Sequence, residues 1–552
     1  MAGSTSGGAT SAPSDIRVVV AASSAGTAFE WYDFFVFVPL ATIISKTFFA
    51  GLNDTAAYVF ALGSFAAGFA FRPVGALIFG RVGDRAGRKG AFLITVIMMG
   101  SATFCIGLLP TYAQAGLLSP SLFIALRIVQ GVALGGEWGG AAIYIAEHSP
   151  PNKRGFFTSW IGAAAAFGLG GALIVTLITR TVLGDVAFNA WGWRIPFLAS
   201  VILLAVSVWF RLKLSESPVF QKMHAEGRRS TRPYADAFLE PHSLKRVLLA
   251  LFAVMVAQGT VWYTTFFYAQ FFIEKILKVA PNTVNAIMIA LVALSAPLYI
   301  VFGALSDRIG RKAVMAGGMI LFTAALWPGF HLITRAANPA LAEAAQRAPV
   351  TVIADPAQCT LQFDPVGKAQ FRTACDILKG ALPNAGVSYH NVKAAPGASP
   401  VAKIGDATVA SVDGRTLSAP ALKAARATVS ARLAAALSKA GYPLRTDPAR
   451  TNAPLILAVL LVFAVGATAL YGPQAACLVE LFPSKVRYTA LSLPYHIGTG
   501  WVGGFLPATA YAMVAASGDS YFGLWYPIIG TVISIVATLL FLPETRTRDL
   551  NL

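Results

Sequence analysis

Long apolar stretches, nearly free of charge, limit how this chain can fold more than any other feature. Twelve of them lie near residues 16–40, 56–79, 91–109, 122–145, 156–183, 195–210, 247–273, 285–302, 314–333, 455–478, 491–515 and 522–542. A bilayer core about 30 Å thick takes about 20 such residues per helix. Only 12% of the 552 residues are charged and the mean hydropathy is +0.64, whereas soluble globular proteins carry about 25% charged residues. An ordinary soluble enzyme is thereby excluded. Gly and Pro inside several stretches would break a soluble helix but are tolerated in lipid, where neighbouring helices satisfy the backbone. The expected fold class is an all-α membrane protein with twelve transmembrane helices.

The formal charge of +18 does not point to nucleic acid, because the basic residues sit in short runs between the apolar stretches. Arg81, Arg85, Arg88 and Lys89 follow the second stretch, Lys153 and Arg154 the fourth, and Arg211, Lys213, Lys222, Arg228, Arg229 and Arg232 the sixth. Arg308, Arg311 and Lys312 follow the eighth, and Lys485 and Arg487 the tenth, whereas the loops after stretches 1, 3, 7 and 11 hold only Lys46, Lys275 and Lys278. The positive-inside rule then places both termini in the cytoplasm of a multi-pass inner (plasma) membrane protein. Residues 1–15 read as a disordered tail, since they lack the basic start of a signal peptide and the following segment is too long and too acidic for one.

The sequence from Phe79 to Lys89, FGRVGDRAGRK, recurs from Phe302 to Lys312 as FGALSDRIGRK, 223 positions later. Each copy follows the second stretch of a set of six. Tandem halves with an even number of spans share one orientation, so the chain reads as two parallel six-helix bundles. The glycines permit a tight turn and the aspartate can cap a helix N-terminus. The expected divisions are a 16–213 bundle, a 214–246 central loop, a 247–545 bundle interrupted by an insert at 336–452, and a 546–552 tail.

This Gly-x-x-x-Asp-Arg-x-Gly-Arg-Lys pattern resembles the signature of the major facilitator superfamily, and the resemblance covers the chain except the insert. Further motifs narrow it: Glu30-Trp31-Tyr32-Asp33-Phe34, Arg72-Pro73-Val74-Gly75, Arg127 to Gly131 with Gly135-Gly136-Glu137, and Gly192 to Phe197. Glu216 to Phe220, Glu480 to Pro483, and Arg487-Tyr488 complete a set similar to the metabolite:proton symporter family. That resemblance implies import of small organic acids or zwitterions such as 2-oxoglutarate, citrate, shikimate or betaines. It also implies a cytoplasmic latch between bundles built on Gly80, Asp84, Arg85, Gly87, Arg88, Asp307, Arg308 and Arg311; the alternative is that these charges set topology alone.

The 336–452 insert is far longer than a usual helix connection and follows an odd-numbered span, which puts it outside. An oxidising compartment would allow one disulfide between Cys359 and Cys375, the alternative being two free thiols. Residues 421–440 read as an amphipathic helix. A lid, a partner-binding module and a passive small domain all fit the insert.

Ionisable groups inside a span are costly and are functional candidates by default. Glu30 and Asp33 share a helix face near mid-membrane, as proton carriers or as one half of a structural ion pair. Arg72 is a counter-ion to them or a clamp for a solute carboxylate, since a guanidinium binds carboxylates bidentately. Arg127 matches the span 4 arginine of the family, and that resemblance implies a role in proton coupling or in a charge relay near the cytoplasmic gate, with binding and structural pairing equally open. Glu137, within Gly131, Gly135, Gly136, Gly139 and Gly140, fits coupling or a hydrogen-bonded place in the first bundle. Gln258, Tyr263, Tyr471 and Gln474 are candidate solute contacts, and His496 a titratable group in span 11. No P-loop, Gly-x-Ser-x-Gly elbow or metal-ligand spacing occurs, so no enzyme activity, cofactor or metal is expected. The expected partners are a small solute, a proton and membrane lipid, with no nucleic acid and a monomeric state. Proton-driven efflux of a hydrophobic compound and a sensor using the insert are the competing functions.

Overall fold

A computed structural model describes residues 16–50, 67–212, 221, 226, 231–360, 371–443 and 446–550. The expected tail, the start of the second span and much of the central loop lie outside the described residues. Span 1 comprises Ile16–Phe35 and Phe37–Phe48. Span 2 is described from residue 67 and includes Arg72–Ala86. Spans 3 to 5 are Arg88–Leu108, Leu118–His148 and Arg154–Ala187. Span 6 joins Arg194–Leu198 to Ser200–Leu212. Spans 7 to 9 are Pro241–Ile276, Pro281–Ile309 and Arg311–Ala337. Span 10 is Ala453–Leu481, span 11 runs from Arg487–His496 to Leu506–Ser517, and span 12 is Trp525–Phe541. Among the described residues nine helices are individually long and apolar enough to cross a bilayer. Span 1 carries Glu30 and Asp33, span 2 is partly described, and span 11 is interrupted by a π turn at Ile497–Gly503.

Small residues decide how closely the spans approach. Gly131 and Gly135 of span 4 face the backbone at Gly68 and Arg72 of span 2, and Gly75 faces the Val132 carbonyl. A Cβ at any of these positions would overlap a main chain, so spans 2 and 4 meet backbone to backbone. Gly259 and Gly498 bring spans 7 and 11 together in the same way, beside the π turns Ala250–Met255 and Ile497–Gly503. These two contacts bring Arg72, Gln258 and His496 to the middle of the molecule.

The membrane part is all-helical, and the insert adds a small sheet that hydropathy does not foreshadow. Strand β1 (Val350–Ala354) lies parallel to β2 (Tyr389–Lys393) and antiparallel to β3 (Val401–Ile404), which pairs with β4 (Ala407–Ala410). The order is β2-β1-β3-β4. Val350, Val352 and Ala354 alternate inward with Leu378 and Leu382 of helix Ala374–Asn384 and Leu433 and Leu437 of helix Ala419–Lys439 also buried. Cys359 and Cys375 are bonded, with Cα atoms 5.2 Å apart. Among the described residues the insert is hydrogen-bonded to the second half: Tyr389 N and Ser388 Oγ reach Gly518 O and Ser520 Oγ (both 2.7 Å), and Thr446 Oγ1 reaches Lys278 O (2.9 Å).

The Asp355 carboxylate accepts from Ala357 N (3.0 Å) and Gly397 N (2.9 Å), and these bonds hold it below its ordinary range. Its contribution is therefore present at neutral pH and is lost as pH falls through that lowered value. Asp355→Ala should expose the Ala357 and Gly397 amides to faster hydrogen exchange at pH 7, after correction for intrinsic rates. The difference from wild type should vanish only below the ordinary carboxylate range; a difference that disappears near pH 5 would contradict this reading.

Candidate functional site

The two halves are held together on the face that carries the repeated motif. Asp84 accepts from Tyr488 N (3.3 Å), Thr489 N (2.9 Å) and Thr489 Oγ1 (2.7 Å), capping span 11. Its repeat counterpart Asp307 accepts from Gly155 N (2.9 Å) and Phe156 N (2.7 Å), capping span 5. Each motif aspartate thus serves the helix N-terminus of the opposite half, where free N–H groups and the helix dipole favour an anion. Gly87 and Gly310 turn the two copies with φ of 113° and 104°, a region that favours glycine. Gly80 and Gly83 let Thr489 and the Tyr488 ring approach.

Ion pairs also cross this seam, Glu147 with Arg487 at 2.8 Å and Arg154 with Glu480 at 3.7 Å, and within the second half Arg311 holds Glu480 at 3.2 Å and Asp307 at 2.6 Å. Lys89 and Lys312, also repeat counterparts, donate to the last turns of the sixth helix in each half, at Leu212 O (3.1 Å) and Leu539 O (2.9 Å). Arg85 donates to Thr231 O and Arg308 is exposed, while the Arg88 side chain lies outside the described residues.

Inside the first half, Arg211 binds two carboxylates at once. Its Nη2 lies 2.7 Å from Glu30 Oε1 and 2.5 Å from Glu137 Oε1, and its Nη1 donates to Glu137 Oε2 (3.2 Å) and Phe92 O (2.9 Å). Thr95 Oγ1 adds a bond to Glu137 Oε2 at 3.1 Å. All three charged residues are at most 3% exposed. This corrects the expectation that Arg211 belongs to a loop cluster of positive charge. It also separates Glu30 from Asp33, which share a helix but not a partner: Asp33 Oδ1 has no hydrogen bond among the described residues.

Arg72 lies at the centre, fully buried, with its guanidinium carbon 4.6 Å from the Phe69 ring, 4.9 Å from Phe34 and 5.3 Å from Trp31. Among the described residues its three guanidinium nitrogens have no acidic partner and no hydrogen bond of full geometry, with the Tyr263 hydroxyl as a looser neighbour. The expected counter-ion role toward Glu30 or Asp33 is therefore not realised in this arrangement. Arg127 also lies over Phe34 (4.8 Å) and is bonded to Gln130 Oε1 at 2.7 Å, so one ring contacts two cations. Tyr263, Tyr471, Tyr495 and His496 lie within electrostatic reach of Arg72. Tyr471 and Tyr495 share a hydroxyl contact of 3.2 Å, and Gln474 Nε2 donates to Met255 Sδ at 3.2 Å. The Oε1 atoms of Gln258 and Gln474 are buried without a partner among the described residues.

Trp138 and Tyr299, which sequence reasoning passed over, complete this centre. Trp138 of span 4 stacks on Tyr495 of span 11 at 3.7 Å, and Tyr299 of span 8 accepts from Trp262 Nε1 at 2.8 Å. The opposite side of the centre is closed by Phe35 against Trp262 (5.9 Å) and Phe69 against Tyr263 (5.6 Å), with Trp501 Nε1 reaching Ala70 O at 3.2 Å. The halves therefore touch on both sides of a buried polar centre, an occluded arrangement. Such a centre can hold a small anion against Arg72 while offering amide and hydroxyl groups from the other half.

Removing Arg211 would leave two carboxylates buried without a cation, a change that costs about 3–5 kcal/mol in comparable sites. Arg211→Ala should lower the thermal midpoint of the detergent-solubilised protein, and adding Glu137→Gln should recover part of the loss. Equal midpoints for wild type and Arg211→Ala would remove the triad from the stability account.

The Sugar (and other) transporter family matches this chain over residues 18–354 and 427–552, and the unmatched stretch falls within the insert. The chain is 35% identical over 329 residues to the "Proline/betaine transporter" of Salmonella typhimurium, covering 58% of this chain and 65% of that protein. It is 34% identical over 314 residues to the "Shikimate transporter" of Escherichia coli, covering 56% and 70%. The match thus spans somewhat less than two thirds of the proline/betaine transporters. The solved structure of the major facilitator "proton:xylose symporter XylE bound to 6-bromo-6-deoxy-D-glucose" shares the fold, with a TM-score of 0.61 at 15% identity over 97% of this chain and 98% of that one. On these matches and this architecture, the chain belongs to the Sugar (and other) transporter family of the major facilitator superfamily.

Proposed function

We propose that the protein is a proton-coupled importer of a small carboxylate-bearing metabolite, an organic acid or a zwitterion, working by alternating access. The observation that carries this reading is Arg72: a guanidinium buried where the halves meet, unmatched among the described residues and caged by Trp31, Phe34 and Phe69. A solute carboxylate supplies the acceptors that an isolated buried guanidinium needs. Gln258, Tyr263, Tyr471 and Gln474 complete the contacts from the second half. Proline, betaine and shikimate all carry a carboxylate, in keeping with the relatives that bear those names. The motif face is cytoplasmic under the positive-inside rule, which puts the insert outside.

Proton binding falls to the first half. Two carboxylates and one guanidinium carry a net charge of −1 when all are ionised, so a single proton on Glu30 or Glu137 leaves a neutral cluster in an apolar surround. Asp33, next in sequence to the Phe34 ring that contacts both Arg72 and Arg127, links proton occupancy to the charge felt by the solute. The motif-face latch of Asp84 and Asp307 must open for release to the cytoplasm, and solute and proton shift that equilibrium by binding one state better.

The test is reconstitution in liposomes with an inward proton gradient, following internal pH while dicarboxylates, tricarboxylates, aromatic acids and betaines are added. One class should give solute-dependent acidification. Asp33→Asn should lose gradient-driven accumulation yet keep exchange of preloaded solute. Arg72→Gln should raise the apparent KM at least about tenfold, the scale of a lost charged hydrogen bond. Silence across the panel from folded protein would overturn the import reading.

A further inference from the structure

A cavity of 640 Å³ opens on the motif face where the two halves meet, between the start of span 5 and the end of span 8. Lys153 and Arg308 stand at its rim, both exposed, and neither forms an ion pair among the described residues. Asp307, the acidic group in its wall, is committed to Gly155 N, Phe156 N and Arg311. The rim therefore presents uncompensated positive charge. Below it the wall is aromatic: Phe156 and Phe157 pack edge to face at 5.1 Å, and Trp160 lies deeper. Trp160 is six residues beyond Arg154, about 9 Å along the helix at 1.5 Å per residue. The cavity thus runs from the level of the helix ends into the layer where acyl chains lie, cationic at the mouth and apolar within.

We propose that this cavity binds an anionic phospholipid, with its phosphate between Lys153 and Arg308 and its first acyl segments along Phe156, Phe157 and Trp160. Basic pockets between transmembrane helices recognise such headgroups, and a tryptophan at this depth suits the interface. A soluble anion would use the rim and leave the aromatic wall unoccupied, which is why a lipid fits better than a free phosphate. Lys153 belongs to the first half and Arg308 to the second, so the lipid engages both only while the Asp307 cap on span 5 is closed. It therefore stabilises the state closed on this face, by binding that state better than the open one.

The experiment uses the full chain purified in detergent and follows its thermal midpoint against added dioctanoyl phosphatidylglycerol, dioctanoyl phosphatidylcholine and glycerol 1-phosphate. Phosphatidylglycerol should raise the midpoint saturably at concentrations at least about tenfold below those needed by phosphatidylcholine, and glycerol 1-phosphate should do nothing. Lys153→Glu should weaken the phosphatidylglycerol response at least about tenfold while leaving the midpoint without lipid unchanged. If that variant does not fold, Lys153→Gln carries the same test with a smaller expected loss. Equal responses to the two lipids, or an unaltered response in the lysine variants, would overturn the proposal. A response to glycerol 1-phosphate equal to that of the lipid would replace it by a phosphate site. None of these readouts depends on transport, so they stand whatever solute the protein carries.

Discussion

A guanidinium or carboxylate within the hydrocarbon layer costs about 3 kcal/mol or more unless something compensates it, and the placement of such groups organises this molecule. Most of them are compensated within the chain. Arg211 is held by Glu30 and Glu137, Arg487 by Glu147, and Arg311 by Asp307 and Glu480. Removing one member of such a cluster exposes the others to the full cost of burial, so these sites resist change. Arg72 differs, since aromatic faces and not acidic side chains surround it. Cation–π contact offsets part of the desolvation of a cation but leaves its hydrogen-bonding capacity open to a ligand.

The repeat gives the same constraint a mechanical form. Asp84 and Asp307 lie 223 positions apart and do equivalent work, each capping the first turn of a helix in the other half. A cap is short-ranged and directional, so it holds while the halves are in register and is lost as soon as they rotate apart. Because both caps cross the seam, the face opens or stays shut as a unit. The close backbone approaches of Gly131, Gly135 and Gly75 keep spans 2 and 4 rigid against each other, so motion concentrates at the seam between halves and not within one of them.

How much of this could be read from the sequence depended on the length scale of each signal. Membrane helices show themselves one by one, because each needs its own apolar run, and the duplicated FG-to-RK motif pointed to two copies of one turn, which Gly87 and Gly310 make with nearly equal φ. The strands of the insert are only four or five residues long, and β2 is mostly polar, so no sustained hydropathy signal marks them. Arg211 stands at the end of an apolar run beside other basic residues, where only packing decides that it turns inward to Glu30 and Glu137. Tyr299 and Trp138 resemble any aromatic residue on an apolar helix, and their place at the centre follows from how the halves meet. The shared helix face of Glu30 and Asp33 suggested a carboxylate pair, but a third residue from span 6 took one of them away.

The central claim is that Arg72 recognises the carboxylate of the transported solute, and an exchange of functional groups tests it most directly. Equilibrium binding to purified protein would be measured for the solute that drives acidification and for its uncharged primary amide, in wild type and in Arg72→Gln. The account predicts that wild type prefers the carboxylate by at least about tenfold, the scale of a charged hydrogen bond to a buried group, and that Arg72→Gln loses the preference. A preference that survives in Arg72→Gln would place carboxylate recognition on another residue and contradict the account.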